Sequence, residues 1–223
     1  MEITVMSNIL GKNEEVAAEL NSLFTQKGIF VINLLGSPGC GKTALVERTA
    51  SLLKDQLKLA VIEGDLYTSK DADRVAAAGT PVVQINTEGG CHLDAAMIKA
   101  ALAELDLTAI DLLIIENVGN LVCPAEFAVG EHAKVVVLST TEGEDKPLKY
   151  PLVFRQSQAV ILNKVDLLPY LDFALDSAVR DISGLNPQAM LIQASCRTGE
   201  GLNHWIEWVT AQVQNIRRQA AND

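Results

Sequence analysis

Apolar and polar residues follow two patterns along this chain. A short apolar run at 29–35, which contains one polar residue, Asn33, is typical of a β-strand covered on both faces, whereas residues 13–26 repeat apolar side chains at helical spacing. The first pattern predicts further strands at 59–62, 82–85, 112–115, 135–138, 159–162 and 190–193. The second predicts further helices at 43–56, 70–78, 93–105, 172–183 and 202–217. Strands that alternate with helices predict an α/β fold, with a mainly parallel sheet flanked by helices on both faces.

The sequence shows no sign of a division into several domains. It has no repeat, no low-complexity segment and no linker rich in proline, glycine or serine. Its 223 residues suit one large domain with a substantial core. We therefore predict a single domain over 1–223, with an N-terminal helical extension over about 1–27.

A glycine-rich segment, GSPGCGKT at 36–43, lies between a predicted strand and a predicted helix. It matches the phosphate-loop pattern GxxxxGK[ST] at every fixed position. In such a loop, backbone N–H groups and the helix N-terminus point at phosphate oxygens. We expect Lys42 to act on the terminal phosphates as a catalytic group, and the Thr43 hydroxyl to hold Mg²⁺. The predicted phosphate-binding residues are Gly36, Ser37, Pro38, Gly39, Cys40, Gly41, Lys42 and Thr43.

A second motif, NKVD at 163–166, follows the predicted strand 159–162 and indicates which base is bound. The Asp166 carboxylate can accept two hydrogen bonds from the N1–H and exocyclic amine of guanine, a donor pair that adenine lacks. The stem of Lys164 would lie along the base, and Asn163 would brace neighbouring loops. Ser195 and Cys196, after the last predicted strand, occupy the place where a backbone N–H would meet the guanine carbonyl.

Two predicted strands end in acidic residues that are candidates for the magnesium site and the nucleotide switch. Asp65 and Glu116 could hold Mg²⁺ through water, and Asp65 could also position the attacking water. Gly119 would contact the terminal phosphate through its backbone. The alternative is that both acids are simply exposed at strand ends. Asn120 stands where Ras-like enzymes carry a water-orienting glutamine, so we expect slow intrinsic hydrolysis that depends on a partner or on dimerisation.

Net charge, hydropathy and cysteine content indicate which partners and which cell compartment are expected for this protein. The chain has 28 acidic and 18 basic side chains, a formal net charge of −10, which argues against a nucleic-acid binder. We expect no membrane segment and no signal peptide, because no apolar run approaches the required length and the first ten residues lack a basic start. Four cysteines without a CxxC pair favour a reducing, cytoplasmic location.

Cys91, His92 and Cys123 are candidate metal ligands. Thiolate and imidazole donors select Zn²⁺ or Ni²⁺. Three ligands fall short of a closed tetrahedral site, so they would form an open site or one shared across a two-fold dimer. The alternative is that both cysteines are merely small buried residues.

These motifs together resemble the HypB family, the GTPases that insert nickel during NiFe-hydrogenase maturation. The segments that carry the resemblance are GSPGCGKT at 36–43, EGD at 63–65, GGCHLDA at 89–95, ENVGNLVCP at 116–124, TEGEDKPLKYP at 141–151 and NKVDLLPY at 163–170. The resemblance implies a SIMIBI-class P-loop GTPase, related to nitrogenase iron protein and signal recognition particle proteins. It also implies a homodimer that forms with GTP, with nickel or zinc held by Cys91, His92 and Cys123 at the dimer interface. GTP hydrolysis to GDP would drive nickel transfer to the hydrogenase large-subunit precursor, with a HypA-type accessory protein.

The sequence departs from some members of that family in its metal-storage segments. It has neither an N-terminal CxxCxC-like motif nor a histidine-rich stretch, which argues against a nickel store. His132 and His204 are expected to be structural or surface residues. Two alternatives stay open: a GTPase chaperone for another metalloenzyme, of the urease or mutase accessory type, and a nucleotide-gated dimerisation module that binds no metal.

Overall fold

The computed structural model describes residues 6–65, 75–76 and 79–222. The helix predicted at 70–78 therefore lies largely outside the described residues. The strands are β1 (Phe30–Leu35), β2 (Leu59–Asp65), β3 (Val82–Asn86), β4 (Leu112–Glu116), β5 (Ala133–Ser139), β6 (Ala159–Asn163) and β7 (Met190–Gln193). The helices are α1 (Met6–Gln26), α2 (Lys42–Leu53), α3 (Ala95–Ala101), α4 (Cys123–Glu126), α5 (Lys146–Lys149), α6 (Pro151–Gln156), α7 (Leu175–Leu185) and α8 (Leu202–Ala220).

The strands form one sheet in the order β3-β2-β4-β1-β5-β6-β7, and every pairing between them is parallel. β1 lies near the centre, where Ile32 is in register with Ile114 of β4 and Ala133 of β5. The chain fills the β4 side of β1 first and then the β5 side, so the strand order reverses at β1. In parallel sheets, ligands bind at the carboxyl ends of the strands beside such a reversal. The predicted P-loop α/β fold is confirmed.

The core lies on both faces of this sheet because alternate strand residues point to opposite sides. Ile32 of β1 packs in a cluster with Leu45 of α2 and Trp205 of α8. Its neighbour Val31 packs on the other face with Phe24 of α1. The N-terminal helix α1 therefore lies on the sheet as part of the main core.

The predicted strands are all present, and the predicted helices that fall on described residues differ from the structure mainly at their ends. Helix α1 begins at Met6, seven residues before the predicted start. Helix α3 begins at Ala95 because the Asp94 side chain caps it, accepting the Met97 N–H at 2.8 Å. Helices α4, α5 and α6 were not predicted, since four to six residues are too few to show helical periodicity. No described helix is long and apolar enough to cross a membrane.

Candidate functional site

The phosphate loop connects the end of β1 to the start of α2, as the motif predicts. Gly41 has a φ of 102°, and a Cβ there would collide with the Asn163 side chain, so the position requires glycine. A cavity of about 430 Å³ opens over the loop and is lined by residues of the loop and of the ends of β2 and β4. The Lys42 ammonium donates to the carbonyls of Gly36 (3.2 Å) and Ser37 (3.4 Å), which keeps it beside the loop.

The acidic wall of this cavity brings together the predicted magnesium residues. The Thr43 hydroxyl donates to Glu116 Oε1 at 2.9 Å, and both side chains are buried. Asp65 lines the same cavity from the end of β2. Glu63, which was not assigned a role, lies in register with Glu116 on the adjacent strand and also lines the cavity. Hydroxyl and carboxylate oxygens are the ligands that Mg²⁺ prefers, so these groups suit that ion.

Gly119 lies directly against the phosphate loop. A Cβ at this position would come within 2.9 Å of the Pro38 backbone nitrogen, which only a glycine avoids. Gly119 also lines the 430 Å³ cavity. The backbone of Gly119 therefore lies beside the phosphate loop at the wall of this cavity.

The NKVD motif lies on the other side of the phosphate loop and braces it. Asn163 Nδ2 donates to the Cys40 carbonyl at 2.9 Å, and Lys164 Nζ donates to the Gly39 carbonyl at 2.7 Å. A cavity of about 260 Å³ lies beside these contacts. Asp166 lines it, and its Oδ1 is buried and makes no hydrogen bond within the protein. Because a buried carboxylate oxygen without a donor is costly, this atom suits a ligand that brings N–H donors.

The backbone donors predicted for the guanine carbonyl are already used inside the protein. The Cys196 N–H donates to Asn163 Oδ1 at 3.2 Å, and the Ser195 N–H donates to the Glu200 carbonyl at 2.9 Å. Cys196 nevertheless lines the same 260 Å³ cavity as Asp166.

Arg48 of α2 holds the loop that contains Cys196 and Arg197, and no sequence motif pointed to it. Its Nε donates to the Cys196 carbonyl at 2.7 Å, and its Nη2 donates to the Arg197 carbonyl at 2.9 Å. The Arg48 guanidinium therefore holds two consecutive backbone carbonyls in place. No motif marks this residue, because the bond joins segments that are 148 positions apart.

The predicted metal ligands converge on the surface near the 430 Å³ cavity over the phosphate loop. One ligand atom from each of Cys91, His92 and Cys123 lies within 4.8 Å of the others. Hydrogen bonding with Cys123 raises the pKa of the exposed Cys91 thiol. Burial lowers the pKa of His92, whose ring lies 3.9 Å from that of Phe127, and this favours the neutral imidazole that binds metal.

The other two cysteines lie in different surroundings. Burial raises the pKa of both Cys40 and Cys196 to about 11, so each thiol stays protonated at neutral pH. Both thiols are also buried and lie outside the group formed by Cys91, His92 and Cys123, so they take no part in the candidate metal site.

Asn117 provides a buried polar link that the sequence analysis did not identify. Its Oδ1 accepts the Leu93 N–H at 3.0 Å, next to the candidate ligand His92. Its Nδ2 donates to Asn33 Oδ1 at 3.1 Å within the core. The signal in the sequence is Asn33 itself, an amide inside the otherwise apolar strand β1, which needs a buried partner.

The phosphate loop, the acidic wall of the larger cavity and the smaller cavity lined by Asp166 all lie at the carboxyl edge of a parallel sheet. Together they define a P-loop nucleotide-binding protein. The CobW/HypB/UreG nucleotide-binding domain model matches residues 30–193. A hydrogenase maturation factor HypB from Azotobacter vinelandii is 51% identical, with 98% of this chain and 75% of that protein aligned.

Two crystal structures of HypB proteins have the same fold. HypB from Archaeoglobus fulgidus gives a TM-score of 0.85 at 34% identity and covers 91% of this chain and 99% of its own. HypB from Helicobacter pylori in complex with nickel gives a TM-score of 0.87 at 38% identity and covers 92% and 96%. The chain belongs to the HypB family of hydrogenase maturation factors.

Proposed function

We propose that this chain is a GTP-hydrolysing nickel metallochaperone that serves the maturation of NiFe-hydrogenase. The observation that carries the proposal is the convergence of Cys91, His92 and Cys123, whose ligand atoms lie within 4.8 Å of one another. Cys123 follows Gly119 by four residues, and Gly119 lies against the phosphate loop. One short segment therefore joins Cys123, one of the three candidate ligands, to the cavity over the phosphate loop. Nickel in the Helicobacter pylori relative supports nickel as the cargo.

The proposed reaction is attack of water on the γ-phosphorus of GTP, which releases GDP and phosphate. Lys42 would exchange the carbonyls of Gly36 and Ser37 for oxygens of the β- and γ-phosphates, and so offset the charge of the transition state. Gly119 would donate its backbone N–H to the γ-phosphate. Asp65 would orient the attacking water. Without a glutamine after Gly119, intrinsic turnover would be slow.

Base selection is assigned to Asn163, Lys164 and Asp166, together with the loop that contains Ser195 and Cys196. The Asp166 Oδ1 atom, buried and without a hydrogen bond, supports this assignment because guanine supplies the missing donors.

Mg²⁺ would be held by Thr43, Asp65 and Glu116, directly or through water. The buried hydroxyl–carboxylate pair on the cavity wall supports this assignment, since its oxygens match the ion's preference. When bound, Mg²⁺ supplies positive charge to the phosphate oxygens.

The metal site would lie at the interface of a homodimer that forms with GTP. Each chain provides three ligands, and a two-fold copy would complete the coordination of Ni²⁺ or Zn²⁺. Cys91 is exposed, and Val122, which precedes Cys123, is an exposed apolar side chain beside the site. Both features suit a surface that a second copy covers.

Family membership supports the remaining parts of the proposal. The chain would act in the cytoplasm as a single domain over 1–223. Together with a HypA-type accessory protein, it would deliver nickel to the large-subunit precursor of NiFe-hydrogenase.

Metal titration of thiol variants tests the proposal. The double variant Cys91→Ala, Cys123→Ala should lose most of its Ni²⁺ and Zn²⁺ affinity, because two of the three ligands are gone. The matched control is Cys40→Ala, Cys196→Ala, which removes the same number of thiols from buried positions and should keep the affinity. If the first variant binds metal as tightly as the parent, the site is wrong and the alternative of a metal-free dimerisation module is favoured.

The enzymatic part has its own test. Lys42→Ala should abolish phosphate release and most nucleotide affinity, and normal turnover would contradict the role of the phosphate loop. Light scattering should show a larger dimer fraction with GTP and Mg²⁺ than with GDP. An unchanged dimer fraction would reject the shared-interface model.

A further inference from the structure

We propose that Asn120 is a positioning residue that couples the nucleotide state of the phosphate loop to the geometry of the metal ligands. An isolated antiparallel bridge pairs its backbone with Gly36, the first residue of the phosphate loop. Its side chain reaches the two segments that carry the metal ligands. The inference rests on the proposed function, because it concerns regulation of the same metal site.

The side chain of Asn120 makes one hydrogen bond to each metal-ligand segment. Its Nδ2 donates to the carbonyl of Cys91 at 3.3 Å. Its Oδ1 accepts the N–H of Val122 at 2.9 Å, and Val122 is the N-cap of helix α4, which begins at Cys123. The amide thus lies between two ligands that are 32 positions apart in the chain.

The backbone of this segment lies where the nucleotide would be sensed. Gly119 precedes Asn120 and contacts Pro38 of the phosphate loop so closely that a Cβ would not fit. A γ-phosphate that draws in the Gly119 N–H would therefore also move Asn120, its neighbour in the chain. GDP lacks that phosphate and would leave the segment in place.

A small movement of Asn120 is enough to change metal affinity. Bonds from Zn²⁺ to nitrogen and sulfur are about 2.0–2.3 Å, and a workable site keeps them within about 0.2 Å. Cys91 and Cys123 lie on separate segments, so their separation depends on what holds those segments together. Asn120 bonds to both, and a shift of a few tenths of an ångström would alter the fit of the metal.

The test measures the Ni²⁺ affinity once in the presence of a non-hydrolysable GTP analogue and once in the presence of GDP. The ratio of these two affinities is then compared between the parent chain and its variants. In the parent chain this ratio should differ from one, within the about 5–150-fold range usual for coupled sites. Asn120→Ala removes both hydrogen bonds. Asn120→Asp keeps an acceptor for Val122 but places an oxygen against the Cys91 carbonyl. Both variants should bring the ratio to within about threefold of one. A residue that only maintained the local fold would change both affinities alike and leave the ratio unchanged.

The matched control is Asn86→Asp. Asn86 precedes Cys91 by five residues and accepts the Glu88 N–H at 3.0 Å, so it carries the same kind of local bond. This variant should keep the parent ratio. Because coupling is reciprocal, Ni²⁺ should change the affinity of the parent for the GTP analogue by the same factor, and the Asn120 variants should lose that effect.

The outcomes separate this inference from the proposed function. If the parent has a nucleotide-dependent ratio and both Asn120 variants keep it, Asn120 is not the coupling residue, although the metallochaperone function stands. If the parent binds Ni²⁺ equally in both nucleotide states, the inference is also wrong. If the parent binds no Ni²⁺, the proposed function and this inference fail together.

Discussion

Replacing Asp166 by asparagine tests the base site with a change of one functional group. In the parent, both carboxylate oxygens would accept hydrogen bonds from guanine, and Oδ1 is buried with no donor from the protein. In Asp166→Asn, the amide NH₂ would face the exocyclic amine of guanine, donor against donor. The variant should therefore lose affinity for GDP. Xanthine carries a carbonyl where guanine carries that amine, so affinity for xanthosine diphosphate should rise.

The size of the effect follows from the burial of this site. A hydrogen bond to a charged group contributes about 1.5–3 kcal/mol, and leaving a buried donor unpaired costs about 1–3 kcal/mol. One charged bond is lost and one donor is left unpaired, so the penalty for GDP is about 3 kcal/mol or more. Since 1.4 kcal/mol corresponds to a factor of ten, GDP affinity should fall about 100-fold or more.

Equilibrium competition against a fluorescent GDP derivative measures both nucleotides in one assay. Asp172→Asn is the matched control, because Asp172 is exposed and lies six residues further along the chain. It should keep the parent preference for GDP. Asp166→Asn should also keep its Ni²⁺ affinity, which shows that the variant is folded. If GDP affinity stays within about threefold of the parent and xanthosine diphosphate gains nothing, the assignment of the base cavity is refuted.

Three other changes test separate parts of the molecule. Arg48→Ala should weaken GDP binding about tenfold in the same assay, because the variant lacks the charge-assisted bond to the Cys196 carbonyl that holds the loop beside Asp166. Gly119→Ala should weaken binding of a GTP analogue more than that of GDP, since its Cβ would lie 2.9 Å from Pro38; the two equilibrium affinities check this. Burial lowers the pKa of His132 to about 4, below 6.5 in the unfolded chain, so this group stabilises the fold above about pH 6.5 and less as the pH falls towards 4. Between about pH 7.5 and pH 5.5, urea unfolding should show a loss of about 1 kcal/mol that His132→Asn largely abolishes.

The parts of the fold that the sequence predicts are those governed by neighbours in the chain. The phosphate loop is contiguous in the chain, and the local backbone conformation of its glycines also sets the positions of Lys42 and Thr43. The buried strands are visible as apolar runs because both faces of the sheet are covered. The ends of the helices depend on single contacts, such as the Asp94 cap of α3, and periodicity does not detect these.

The metal site depended on a different kind of information. Residue type made Cys91 and Cys123 candidate ligands, but they are too far apart in the chain for their spacing to show that they meet. The family resemblance implied that they share one site. The physical reason for their meeting is the strand order, in which β3 and β4 flank β2. The segments that follow β3 and β4 therefore leave the same edge of the sheet. Single polar residues such as Asn117 and Arg48 form no pattern, so their tertiary bonds could not be predicted.

The hydrogen bonds between residues 117–120, which follow β4, and residues 91–93, which follow β3, set a scale for how strongly the nucleotide and metal sites can influence each other. Asn120 bonds to the Cys91 carbonyl, and Asn117 accepts the Leu93 N–H, so two bonds join these segments on either side of His92. Each such neutral bond contributes about 0.5–1.5 kcal/mol, and the pair therefore about 1–3 kcal/mol. Coupling free energies between sites are usually about 1–3 kcal/mol, the same range. The loss or gain of these bonds between nucleotide states would therefore be enough for coupling of the usual size, without a larger rearrangement of the sheet.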